Sequence, residues 1–112
     1  MAKHTQFVIA MVLTIASIAA GAQTADNAFI IDTRSPAEFE AGHVEGAVLI
    51  PYDAIEARIL KITQDKDATI YLYCGSGGRA EIARKRLAHR GFNNVTNLGG
   101  LEDARNFLAN QE

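Results

Sequence analysis

Between residues 28 and 109, short apolar runs alternate with stretches of helical periodicity, and few folds accommodate that alternation. Residues 28–31, ending at Asp32, read as a buried strand. Ser35-Pro36 with Glu38 reads as the capped start of a short helix, stopped by Gly42. Residues 47–50, closed by Pro51, form a second apolar run. Asp53 is placed to cap a further helix carrying Ile55, Ile59, Leu60 and Ile62 at helical spacing. After a turn at 65–67, residues 69–73 are β-branched and aromatic, the clearest strand of the chain. Residues 74–79 are a glycine-rich loop. A helix follows over 80–89, with Ile82, Ala83 and Leu87 on one face, and Gly91 ends it. Residues 94–98 read as a strand, Gly99-Gly100 as a turn, and 101–109 as a last helix. Strands separated by helices of this length pair in parallel through right-handed crossovers. The expected class is therefore α/β: one domain, with a small, mainly parallel sheet of about four strands flanked by helices.

The amino terminus has another character. Lys3 precedes an apolar run over 7–20, and Ala20-Gly21-Ala22 follows. A basic start, a short apolar run and an A-x-A site describe a secretory signal peptide. The run of 14 residues is shorter than the ~20 that span a bilayer. The expectation is cleavage after Ala22, a periplasmic domain over 23–112, and no membrane attachment once the signal is removed. Loss of Lys3 takes the formal charge from −2 to −3, which argues against a nucleic-acid binder. Cys74 is the single cysteine, so neither an intrachain disulfide nor a multi-cysteine zinc site can form. His4, His43 and His89 have no ligand spacing. A leftover cysteine in an exported chain is either a reactive thiol or a small buried hydrophobe.

Its neighbours favour reactivity. Cys74-Gly75-Ser76-Gly77-Gly78-Arg79 runs from a strand's carboxyl end into a helix, where open parallel sheets bind ligands. Glycines let backbone N–H groups converge into an anion nest beside a helix N-terminus. A cysteine so placed falls from ~8.5 into a pKa range of ~3.5 to 7.5. Three chemistries fit such a loop. Residues 75–80 formally match a dinucleotide fingerprint, but the next strand lacks the acidic residue that fingerprint needs. Cysteine phosphatases and arsenate reductases place five residues between Cys and Arg, whereas four intervene here. Sulfur transfer needs the loop only to hold a sulfur atom and its charge.

The sequence resembles the rhodanese family of sulfurtransferases. The resemblance rests on residues 31–39 (Ile-Asp-Thr-Arg-Ser-Pro-Ala-Glu-Phe), Gly42-His43-Val44-Glu45-Gly46-Ala47, Ile50-Pro51, the loop Cys74 to Arg79 as Cys-x-x-Gly-x-Arg, and Asn97-Leu98-Gly99-Gly100-Leu101. Length and leader are most similar to the small exported rhodaneses of the phage shock protein E type. The sequence departs from the family pattern before Asp32, where a strand and helix are usual, and at Leu49, where Asn is frequent.

The resemblance implies a two-step reaction without metal or organic cofactor, through a persulfide on Cys74 as nucleophile. It implies a backbone cradle of Gly75, Ser76, Gly77 and Gly78, with Arg79 assisting donor binding. A small anionic donor, thiosulfate, and a thiophilic acceptor, cyanide or a thiol, are the expected partners of a monomer. A mercaptopyruvate donor, or a persulfide carrier docking a protein with little small-donor turnover, are the alternatives. Asp32, Arg34 and His43 are expected to be structural, with Arg34 able to pair with Glu38. The Arg84-Lys85-Arg86 run reads as a solvated helix face.

Overall fold

The computed structural model describes residues 27–111. The expected signal peptide over 1–22 lies outside the described residues. Four strands form one parallel sheet: β1 (Phe29–Asp32), β2 (Val48–Leu49), β3 (Ile70–Cys74) and β4 (Val95–Gly100), in the order β2-β1-β3-β4. The helices are α1 (Pro36–Ala41), α2 (Ile55–Arg58), α3 (Gly78–His89) and α4 (Leu101–Ala109). Among the described residues no helix is long and apolar enough to cross a membrane.

Alternation along β3 divides the core. Ile70, Leu72 and Cys74 join Ile31, Ile55, Ile59, Ala80, Ala83, Leu87 and Phe92 on the face covered by α2 and α3. Tyr73 joins Ile30, Val44 and Ala104 on the other face, with Tyr71 and Leu108 packed against them. A sheet covered on both sides explains why β3 is buried at four of its five positions.

The start of α1 is as its sequence requires. The Ser35 hydroxyl accepts the Glu38 N–H, and the Glu38 carboxylate accepts the Ser35 N–H. The expected helix beyond Asp53 is broken up instead. A 3-10 turn (Tyr52–Ala54), the single turn of α2 and a second 3-10 turn (Ile59–Lys61) follow one another, and Asp53 makes no cap. Ile55 and Ile59, four apart, are buried in the core and Ile62 packs partly buried against it, whereas Leu60, about 100° further round from Ile59, is 47% exposed. Ile82 is likewise turned out at 42% exposed, and Ala80, Ala83 and Leu87 make the buried face of α3. The Gly99-Gly100 pair is drawn into β4, where Gly100 pairs with Cys74 across an irregularity in the ladder.

Candidate active site

Cys74 is the last residue of β3, and the chain turns at once into α3. Its side chain is 1% exposed. The sulfur accepts the Gly77 N–H at 2.9 Å and the Ala80 N–H at 3.4 Å. Burial resists ionisation of the thiol, but the N–H groups of Ala80, Ser76, Gly77 and Arg79 outweigh it and hold the pKa below the usual thiol range. Ala80 is thus a donor that lies just beyond the glycine loop. Gly78 opens α3, and the Gly75 carbonyl backs onto Gly100.

That contact is tight. A Cβ on Gly100 would lie 2.5 Å from the Gly75 carbonyl oxygen, backbone against backbone. Gly100→Ala is expected to force the loop and β4 apart and to cost about 1–3 kcal/mol in urea unfolding. A loss below about 0.5 kcal/mol would show that the loop has room to yield.

Arg79 does not point free into solvent. Its guanidinium grips the Glu38 carboxylate at 2.8 and 3.1 Å, across 41 positions of sequence. That pairing holds the Glu38 carboxyl at about 2, so the pair stays ionised at neutral and mildly acid pH. Arg34, expected as a partner for Glu38, is committed elsewhere. Its Nε and Nη2 bind the fully buried Asp32 carboxylate, at 2.7 Å for Nη2, and Nη2 also donates to the Gly42 carbonyl at 2.6 Å. The Tyr73 hydroxyl donates to Asp32 at 2.8 Å and accepts the Val44 N–H at 3.0 Å. Burial and the Asp32 contact push that hydroxyl up to about 12, so it remains a donor. This buried network ties β1, β3 and the loop after α1 together behind the active loop. His43 fits a structural place: its Nδ1 donates to the Phe39 carbonyl at 2.7 Å, and its ring stacks on Phe39 with centroids 3.6 Å apart.

Beside the loop lies a cleft of about 210 Å³ lined by Thr33, Arg34, Ser35, Pro36, Pro51, Tyr52, Asp53 and Arg79. Arg79 therefore links the cleft to the sulfur cradle. The arrangement provides an ionisable sulfur, fixed N–H donors aimed at its charge, and an adjoining space for a small molecule.

The family model for the rhodanese-like domain matches residues 16–106. The thiosulfate sulfurtransferase PspE of Escherichia coli K12 is 37% identical over 73 residues, which are 65% of this chain and 70% of that protein. A tRNA uridine(34) hydroxylase of Escherichia coli is 37% identical over 78 residues, but the matched part is only 22% of that protein. A solved structure described as a rhodanese with anions from E. coli superposes with a TM-score of 0.66 at 36% identity, covering 68% of this chain and 89% of that one. A rhodanese-like domain of an Anabaena protein superposes with a TM-score of 0.61 at 28% identity, covering 70% of this chain and 90% of that one. With the cysteine loop, the four-stranded parallel sheet and these matches in agreement, the chain belongs to the rhodanese family.

Proposed function

We propose that the chain is a thiosulfate sulfurtransferase that carries sulfane sulfur on Cys74 and passes it to cyanide or a thiol. The observation that carries this reading is the Cys74 sulfur, set at the end of a parallel strand and held by backbone N–H groups. In the first step the Cys74 thiolate attacks the outer sulfur of thiosulfate. A new S–S bond forms, the S–S bond of the donor breaks, and its electron pair leaves with sulfite. In the second step the acceptor attacks the outer sulfur of the persulfide, and the Cys74 thiolate departs with the electron pair. Each step moves negative charge between sulfur atoms, so donors already aimed at that charge lower both barriers without reorganising. No metal or organic cofactor takes part. We read residues 1–22 as an export signal, and a periplasmic site of reaction is part of this proposal.

Intact mass tests this. Reductant-free protein treated with thiosulfate should gain one sulfur atom and release sulfite, and cyanide should restore the original mass with formation of thiocyanate. No gain of mass overturns the proposal. The same spectrum reads cleavage before Gln23.

The Glu38–Arg79 pair gives a second measurement. The carboxylate competes with an anionic donor for the guanidinium. Both side chains are more than a third exposed, so the pair is worth little against solvent. Glu38→Gln keeps the helix cap but removes the charge. KM for thiosulfate is expected to fall about two- to fivefold with kcat little changed. An unchanged KM would mean that Arg79 does not meet the donor.

A further inference from the structure

Asn97 lies on β4, two residues before Gly99, and every polar atom of its amide is engaged. Its Nδ2 donates to the Gly77 carbonyl at 2.9 Å and to Glu81 Oε1 at 3.3 Å, and its Oδ1 accepts the Gly99 N–H at 2.9 Å. The neighbours decide this orientation, because a turned amide would set its oxygen against a carbonyl and a carboxylate. Glu81 is itself held by Arg84 at 2.6 and 2.9 Å, so the amide rests on an anchored partner.

The residue so held is the one whose N–H reaches the sulfur. Gly77 has φ +107°, donates its N–H to Cys74 Sγ at 2.9 Å, and offers its carbonyl to the Glu81 N–H at 3.0 Å as well as to Asn97. A glycine in the left-handed region has many accessible peptide orientations and does not by itself aim an N–H. A Cβ on Gly77 would touch the Gly99 Cα at 3.4 Å, so the turn that Asn97 organises also packs on the loop.

We propose that Asn97 is a positioning residue for sulfur transfer: by holding the Gly77 carbonyl, on the peptide that follows Gly77, it fixes the backbone turn at that residue and so keeps the N–H of the preceding peptide aimed at the Cys74 sulfur. It acts through Gly77 and has no contact with the sulfur. Its consequence for rate rests on the sulfurtransferase reading, whereas its consequence for the thiol does not.

Two variants separate the clamp from the turn. Asn97→Ala removes both. Asn97→Ser keeps an oxygen that can accept the Gly99 N–H two residues on, but is too short to span to the Gly77 carbonyl. Thiolate absorbance against pH, thermal unfolding and the pH dependence of sulfur uptake from thiosulfate are the readouts. Both variants should unfold cooperatively, with the thiol midpoint raised by about half a pH unit or more. Below the wild-type midpoint that shift lowers the thiolate fraction, and with it uptake, about threefold, with recovery at alkaline pH. A midpoint unchanged in folded Asn97→Ser, or failure of both variants to fold, overturns the proposal, because Asn97 would then serve only the turn or the domain. A wild-type chain that takes up no sulfur removes the sulfurtransferase reading instead, and the midpoints still decide the role of Asn97.

Discussion

Cys74→Ser is expected to take up no sulfur from thiosulfate, with the rate of sulfite release reduced by a factor on the order of 10⁵–10⁶, as when the nucleophile of a covalent mechanism is removed. The chain has no second cysteine to substitute for it. A serine oxygen can accept the same Gly77 and Ala80 N–H groups, so the loop and fold should persist, with stability within about 1 kcal/mol of wild type in urea unfolding. The hydroxyl stays protonated where the thiol ionises, and the cradle cannot close that gap. The wild-type pH profile carries the complementary sign. Burial works against ionisation, but the N–H groups of Ala80, Ser76, Gly77 and Arg79 lower the Cys74 pKa. Uptake should therefore persist below the ordinary thiol value of ~8.5 and fall only as pH drops through the lower, folded value. Intact mass at several pH values reads both results, and a persulfide on Cys74→Ser would place the chemistry elsewhere.

Asp32→Ala should produce the largest loss of stability of any change discussed. The Asp32 carboxylate is fully buried and accepts the Arg34 backbone N–H at 2.9 Å, the Arg34 guanidinium and the Tyr73 hydroxyl. Removing it leaves Arg34, only 7% exposed, with the Gly42 carbonyl as the remaining hydrogen-bond partner of its guanidinium. An orphaned buried charge costs about 3–5 kcal/mol. In a domain of this size that lowers Tm by about 12 °C or more. Asp32→Ala combined with Arg34→Met removes the stranded charge and should recover part of the loss. Calorimetry on the two proteins tests this: a single variant within about 1 kcal/mol of wild type would mean that solvent reaches Arg34 freely.

What could be read from the sequence divides by range. The Ser35–Glu38 cap, the Gly42 stop and β3 are local patterns, and all three appear in the structure. The four parallel strands follow from the alternation of short apolar runs with helices. The turn that carries Cys74 from β3 into α3 was legible, because strand, glycines and helix start are contiguous. The Glu38–Arg79 pair and the Gly77–Asn97 clamp span 41 and 20 positions and leave no local trace. The structural place of Arg34 was legible but its partner was not, for the same reason: proximity in sequence offers it both Asp32 and Glu38, and only burial of Asp32 decides. Leu60 and Ile82 show the limit of periodicity, since a short or narrow helix face turns some apolar side chains outward. Ala80 escaped notice because its contribution is a backbone N–H, which every residue except proline carries.

The inward-facing N–H groups around Cys74 bear on the domain's own folding equilibrium. A group whose pKa is lower folded than unfolded stabilises the native state in its charged form. Here that contribution is complete above the unfolded thiol's ~8.5 and disappears as pH falls through the folded value. The anion and the backbone around it are therefore reciprocal. The loop holds the charge on sulfur, and the charge on sulfur holds the loop, so protonating Cys74 weakens the segment that surrounds it.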